Sequence, residues 1–290
     1  MTEPAPVSVR TLRDETVALL ATARVPDPEV DAELLIGHVL GVPRGRVQAL
    51  VVMDATAGDE DVARVRELAA RRAAREPLQH ITGVAPFRSL ELAVGPGVFV
   101  PRPETEQVVQ FAIDALRAVP SEQPVAVDLG TGSGAIALAM ATEVPHARVY
   151  AVENSREAFV WTRRNIEELG GDNISGAFAD LADAFPELDG TVDVVISNPP
   201  YVPAAAVPRD PEVRLFDPAA ALYGGEDGLD VVRVISRVAQ RLLRPGGTLV
   251  LEHGELQGAD IRAILTADGW RAAATHRDLT TRDRATTALR

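Results

Sequence analysis

The chain contains no cysteine, which excludes disulfides, thiolate metal sites and a cysteine nucleophile, and fits a reducing compartment. It also contains no lysine, and all 29 of its basic residues are arginine. Together with the abundance of alanine, this is the compositional bias of a GC-rich genome, so no arginine is functional merely for not being lysine. No apolar run approaches the ~18 residues that a membrane-spanning helix needs. The run at 17–21 is too short, and too closely flanked by charge, for a signal peptide. Positive charge is in deficit: 42 acidic residues leave a formal net charge of -13. A protein whose main ligand was duplex DNA or structured RNA would need a basic face to neutralise phosphates, and the overall field here opposes that. Five histidines, His38, His80, His146, His253 and His276, are dispersed without ligand spacing, so no metal site is expected. There is no internal repeat and no low-complexity segment. These absences point to a cytoplasmic protein with no membrane partner and no stable nucleic-acid partner.

What is present is a globular composition, 46% hydrophobic and 24% charged, in 290 residues. That length is generous for one core and comfortable for two domains. Residues 8–74 have a helical pattern, with Ser8, Asp27 and Asp59 as N-caps and breaks at Pro26-Asp27-Pro28, Gly41-Val42-Pro43 and Ala57-Gly58. A small helical bundle is expected, with Leu34, Leu35, Val39 and Leu40 as an apolar stripe. Arg64, Arg71 and Arg75 share a helix face that meets either solvent or an acidic partner. Two apolar stretches, 87–94 and 97–100, read as a hairpin joined through Gly95-Pro96-Gly97, followed by a helix over 103–119.

After Pro124 the pattern alternates. Strands are expected at 125–129, 148–152, 174–178, 192–197 and 248–252, and helices at 135–141, 157–169 and 229–243. That is a doubly wound parallel sheet, to which 270–275 and 285–289 add a last pair of strands. The expected organisation is a helical bundle at 1–77, a hairpin linker at 78–102 and an α/β domain at 103–290.

The strand at 125–129 runs into Gly130-Thr131-Gly132-Ser133-Gly134 and then a helix. Glycine there lets the backbone turn tightly and approach a nucleotide-like ligand. Gly130, Gly132 and Ala135 also satisfy the dinucleotide form of the motif, and Glu153, at the end of the next strand, suits the ribose hydroxyls of either cofactor. A dinucleotide would place its pyrophosphate on the helix N-terminus, whereas S-adenosylmethionine would place its methionine tail there, and Asp128 favours an ammonium. That leans toward the methyl donor. Asp180-Leu181 lies where an adenine pocket would close, or it is ordinary surface.

The strand at 192–197 ends in Asn198-Pro199-Pro200-Tyr201, which should face the same crevice. Two prolines remove backbone donors and stiffen the turn, so the Pro199 carbonyl and the Asn198 side chain offer two acceptors for one NH2 group. Tyr201 adds an aromatic surface for a planar group. An amide nitrogen is a poor nucleophile, and holding both its N–H groups aligns it and stabilises the positive charge that grows on it. Asn198, Pro199 and Tyr201 are therefore the catalytic candidates.

Asn-Pro-Pro-Tyr after such a loop resembles both the N6-adenine DNA methyltransferases and the protein glutamine N5-methyltransferases. The wider strings resemble the release factor glutamine methyltransferases: Leu78-Gln79-His80-Ile81-Thr82-Gly83, Phe87, Pro101-Arg102-Pro103-Glu104-Thr105-Glu106, Gly224-Gly225-Glu226-Asp227-Gly228-Leu229 and Arg277-Asp278-Leu279. The related ribosomal-protein glutamine methyltransferases typically diverge at the Pro101 string. The resemblance implies a class I S-adenosylmethionine-dependent fold, Rossmann-like, with a mostly parallel seven-stranded sheet. It also implies a helical domain that helps hold a release factor, and methylation at N5 of the glutamine in that factor's Gly-Gly-Gln loop.

Cofactor contacts would come from Gly130, Thr131, Gly132, Ser133, Gly134, Glu153, Asp180, Leu181 and Asn198, and substrate contacts from Asn198, Pro199, Pro200 and Tyr201. Many relatives carry Asp in place of Glu153 and an aromatic residue in place of Leu181, departures that bear on cofactor affinity. Glu104 and Glu106 either help close the pocket or complement a helix dipole.

Overall fold

The computed structural model describes residues 6–290, which form two units. The first runs to Gly83 and takes in Arg209–Phe216, and the second comprises Val84–Pro208 and Asp217–Arg290.

The first unit is built from α1 (Val9–Thr22), α2 (Pro28–Leu40), α3 (Arg44–Val52), α4 (Asp59–Ala73) and the short α5 (Leu78–Thr82). Ser8 caps α1, its hydroxyl accepting the Thr11 N–H at 3.2 Å. Pro28 opens α2 after Asp27, and Gly41, at φ 64°, closes it. Asp59 is not a cap: Gly58 holds that position, and Asp59, Glu60 and Asp61 form an acidic first turn that complements the helix dipole. Leu12, Ile36, Val47 and Val65 pack one part of the core, and Leu20, Leu35, Leu68 and Ile81 the other. Of the expected stripe, Leu35 is buried and Val39 and Leu40 pack beside the core, but Leu34 stays exposed, because neighbouring helix positions face about 100° apart. The arginine face also divides. Arg64 pairs with Glu67 at 2.6 Å and Arg71 with Glu76 at 2.5 Å, whereas Arg75 lies beyond α4 and binds Glu212.

In the second unit the hairpin is β1 (Val84–Phe87) and β2 (Leu90–Ala93), not 87–94 with 97–100. Its turn is Arg88-Ser89, with Arg88 at φ 53°. Arg88 is fixed by its ion pair with Glu143 and by its N–H donating to Glu106 Oε1 at 3.1 Å. Gly95-Pro96-Gly97 does turn, with Gly97 at φ 89° and the Val98 N–H donating to the Gly95 carbonyl at 3.4 Å, but it joins no strand pair and is tightly packed: a Cβ on Gly95 would meet Trp161 at 2.5 Å, and one on Gly97 would meet Glu157 at 2.8 Å.

Then follow α6 (Pro103–Ala118), β3 (Val125–Leu129), α7 (Ala135–Glu143), β4 (Arg148–Glu153), α8 (Arg156–Leu169), β5 (Ile174–Phe178) and β6 (Val192–Ser197). The chain continues through α9 (Pro211–Phe216, part of the first unit), α10 (Ala219–Leu222), α11 (Asp230–Leu242), β7 (Leu243–Glu252), α12 (Gly258–Ala267), β8 (Arg271–Arg277) and β9 (Asp283–Leu289).

The seven-stranded sheet has the order β5-β4-β3-β6-β7-β9-β8, parallel except for β9, which runs antiparallel to both neighbours. Alternate residues feed two cores. Ala126, Val149, Val194 and Val250 pack with α6, α7 and the hairpin, while Val127, Leu129, Val195 and Leu249 pack with α11 and α12. Strand order reverses between β3 and β6, and the crevice at that switch, outside the carboxyl ends, is where α/β sheets bind ligands.

Candidate active site

The glycine loop leaves β3 with Gly130, Gly132 and Gly134 at φ 76°, 59° and 87°, a region where a side chain is strained. Its amides are mostly used internally. Gly130 and Thr131 both donate to the Val152 carbonyl at 2.9 Å, Gly134 donates to the Thr131 carbonyl at 2.9 Å, and Gly132 donates to Glu153 Oε2 at 2.9 Å. The loop carbonyls are held as firmly. The Thr162 hydroxyl donates to Gly132 at 2.5 Å, and the Asn165 amide donates to Ser133 at 2.9 Å while also bridging Ala93. A pyrophosphate would find few free donors here and a carboxylate in the way.

Space remains above the loop, since a Cβ on Gly130 or Gly132 would meet nothing within 4 Å. Glu153 Oε1 accepts the Asn154 and Ser155 N–H groups at 3.0 and 2.8 Å, so Oε2, bonded only to Gly132, keeps a lone pair for a hydroxyl. Asp128 is fully buried beneath the loop, its Oδ2 accepting from the Thr131 hydroxyl at 2.5 Å. Burial pushes its pKa up to about 7, against the Thr131 hydroxyl and the Ala137 N–H, which favour the charged form. It acts on the loop from below. Asp180, at the end of β5, is exposed and caps a short turn by accepting the Ala182 N–H, while Leu181 packs against the sheet core. An open cradle, a carboxylate with spare capacity and few free amides suit S-adenosylmethionine better than a dinucleotide.

Asn198-Pro199-Pro200-Tyr201 continues β6 and is tied to the loop's strand by the Ser197 hydroxyl, which donates to the Leu129 carbonyl at 2.6 Å. The Asn198 Nδ2 donates to the Thr105 hydroxyl at 3.4 Å, and Pro199 is buried. The Tyr201 carbonyl accepts from Gln257 Nε2 at 2.9 Å, and the Val202 N–H donates to the Leu222 carbonyl at 2.8 Å. Two glycines from the Gly224 string back the turn at a distance no side chain tolerates. A Cβ on Gly224 would stand 2.3 Å from the Pro200 carbonyl oxygen, and one on Gly228 would stand 2.3 Å from that of Tyr201. Burial, with the nearby Glu252 charge, pushes the Tyr201 phenol up to about 12, so it stays protonated.

The Pro101 string is site architecture. Arg102 pairs with the buried Asp217 carboxylate at 2.6 Å, Thr105 meets Asn198, and Glu106 holds the hairpin turn. Glu104 is an exposed first-turn acid of α6. Glu252, Gln257, Thr162 and Asn165 went unrecognised in the sequence, and Thr105 stood out only as part of the Pro101 string. Only Glu252 carried a signal of its own, as an acid ending a strand at the ligand-binding edge. Among the described residues no helix is long and apolar enough to cross a membrane, and no group of three or more His, Asp or Glu could hold a metal ion.

Residues 90–224 match the methyltransferase small domain, and a methyltransferase from Pyrococcus furiosus superposes with a TM-score of 0.50 at 22% identity, over 70% of this chain and 89% of that one. Fold and loop together define an S-adenosylmethionine-dependent methyltransferase. Residues 11–83 match the PrmC N-terminal domain. A release factor glutamine methyltransferase of Streptomyces coelicolor is 54% identical over 93% of each chain, and one of Bifidobacterium longum is 48% identical over 91% of this chain and 94% of its own. A 4-amino-L-phenylalanine/4-methylamino-L-phenylalanine methyltransferase of Streptomyces pristinaespiralis is 39% identical over 93% of this chain and 90% of its own. The chain belongs to the release factor glutamine methyltransferase family.

Proposed function

We propose that this enzyme, in the cytoplasm, methylates N5 of the glutamine in the Gly-Gly-Gln loop of peptide chain release factors. The observation that carries the reading is the Asn198 amide. Its NH2 is turned onto Thr105, which leaves Oδ1 as an acceptor at the end of β6, beside a buried proline that has no N–H to compete. Oδ1 and the Pro199 carbonyl accept the two N–H groups of the glutamine side chain, and Tyr201 lies against its plane. The nitrogen lone pair is then directed at the donor, and the two acceptors stabilise the charge that grows on it. At its upper limit such alignment is worth about 7–11 kcal/mol. No strong base is needed to start the reaction: the N–C bond forms as the S–C bond breaks to leave S-adenosylhomocysteine as product, and the positively charged nitrogen then gives up one proton to solvent.

Gly130, Thr131, Gly132, Ser133 and Gly134 cradle the donor, Glu153 accepts from its ribose hydroxyls, and Asp180 and Leu181 flank the adenine. When bound, S-adenosylmethionine supplies an electrophilic methyl group on a sulfonium. Release factors are the partners, docking on a surface to which the helical unit contributes.

The pure protein, incubated with isotope-labelled donor and a release factor, should label one peptide, the one that holds Gly-Gly-Gln. Labelling of nucleic acid, of a ribosomal protein, or of free 4-aminophenylalanine in preference to the release factor would overturn the substrate assignment.

A further inference from the structure

Asn198 can present its oxygen to a substrate only if something decides which way its amide faces. Thr105 alone cannot decide it. A hydroxyl both donates and accepts, so it would pair equally well with Asn198 Oδ1 after a flip of the amide, consuming the acceptor. The deciding group must be acceptor-only and must stand behind Thr105. Glu252 is such an acceptor, and the Thr105 hydroxyl and the Asn198 amide both lie near enough to favour its charged form. It ends β7, next to β6, with Leu251 in register with Ser197, and it is buried at 2% exposure with its Oε2 atom lacking any hydrogen-bond partner. Thr105, on α6, is buried at 4%.

We propose that Glu252, acting through Thr105, is the positioning residue that holds the Asn198 amide with its oxygen toward the substrate. An ionised Glu252 cannot donate, so the Thr105 hydroxyl donates to it and turns its lone pair to the Asn198 NH2. A protonated Glu252 reverses the chain: it donates to Thr105, Thr105 donates to Asn198 Oδ1, and the substrate loses an acceptor.

The surroundings set where that reversal falls. Burial pushes Glu252 up to about 7, opposed first by the Thr105 hydroxyl, then by Arg284 from β9 and by the Asn198 amide, and assisted by Glu104 of α6. Tyr201, the other titratable group facing it, stays protonated throughout this range.

The inference rests on Asn198 as the substrate's acceptor, and the experiment separates the two. With a release factor and labelled donor, wild-type kcat should fall on the acid side of about pH 7. Glu252→Gln, whose NH2 donates as the protonated acid does, should lose about tenfold to a hundredfold at pH 8 and show no acid limb. Affinity for S-adenosylhomocysteine should stay within about twofold, since neither the glycine loop nor Glu153 is touched. Thr105→Val should match that loss, Thr105→Ser should restore most of it, and the Glu252→Gln, Thr105→Val double variant should be no worse than either single one.

In the absence of substrate, the Asn198 side-chain NH2 resonance, assigned by its disappearance in Asn198→Asp, should titrate near pH 7 in the wild type and not in Glu252→Gln. A Glu252→Gln enzyme with wild-type kcat and an intact acid limb, or an Asn198 resonance that titrates equally in both proteins, would overturn the positioning role. If the wild type leaves the release factor unlabelled, the substrate assignment fails, and the resonance still decides the role of Glu252.

Discussion

Glu153 carries one more methylene than an aspartate at the same strand end, and the extra reach is spent within the protein. It brings Oε2 back to the Gly132 N–H at 2.9 Å, so a single carboxylate ties the glycine loop to β4 while keeping capacity for a ribose hydroxyl. Glu153→Gln should therefore weaken donor binding twice, by loosening the loop and by placing an NH2 among backbone donors. The expected loss is about tenfold to a hundredfold in affinity for S-adenosylhomocysteine. Titration calorimetry measures it, and kcat at saturating donor should change far less.

Asn198 acts at the other end of the reaction. Removing an acceptor used only as charge develops costs about 10²–10³ in kcat. Asn198→Ala should show that loss with unchanged affinity for S-adenosylhomocysteine. A variant that instead raises KM for the release factor at constant kcat would make Asn198 a uniform binding contact.

At the scale of elements, the Asn198 turn is held by a second turn pressed against it. Gly224 and Gly228 leave no room for a methyl group, and Gly228 is also at φ 79°. Gly228→Ala should displace the Tyr201 carbonyl and strain its own backbone, costing about 1–3 kcal/mol of stability and, through the shifted turn, most of the turnover. Thermal melts and kcat check this together, and normal activity would mean that the turn tolerates displacement.

Much of this was legible in the sequence because it is local. A strand, three glycines and a helix announce the loop, and a strand ending in Asn-Pro-Pro-Tyr announces the acceptors. The hairpin was misplaced for the opposite reason. Arg88 is an unremarkable residue whose left-handed turn is imposed by Glu106 and Glu143, while the turn that Gly95 and Gly97 do make joins no strands and is pressed against Trp161 and Glu157. Thr105 and Glu252 were hidden likewise. They lie far apart in the chain, and only the packing of α6 across the ends of β6 and β7 gives them a shared purpose.

At the scale of the molecule, the first unit is not a continuous stretch of chain. The chain leaves the second unit after Pro208, contributes Arg209–Phe216 to the first, and re-enters the second at Asp217. Within the first unit that segment is fastened by charge: Arg72 donates to Asp31 at 2.7 Å and to Glu212 at 2.8 Å, and Arg75 also pairs with Glu212. Arg72 is only 6% exposed and Glu212 7%, so neither charge is solvated if its partner is lost. Truncating one side of such a pair costs about 3–5 kcal/mol, far more than an exposed ion pair is worth.

Arg72→Ala should lower the unfolding free energy by that amount, whereas Arg64→Ala, which breaks the exposed pair with Glu67, should lower it by less than about 1 kcal/mol. The pH dependence has a definite sign. Burial pushes Glu212 up, but the Arg75 and Arg72 guanidiniums outweigh it and hold the carboxyl at about 2, below its ordinary 4.5. A carboxyl whose folded value is depressed stabilises the fold at pH values above its unfolded value, and that contribution is lost as pH falls toward the folded one. The stability gap between the wild type and Glu212→Gln in urea titrations should therefore be constant from pH 7 to about pH 5 and narrow progressively below about pH 4.5. Comparing the two proteins at each pH cancels the titrating groups that do not interact with Glu212. A gap that persisted unchanged to pH 3 would mean that Glu212 holds the segment by packing rather than by charge.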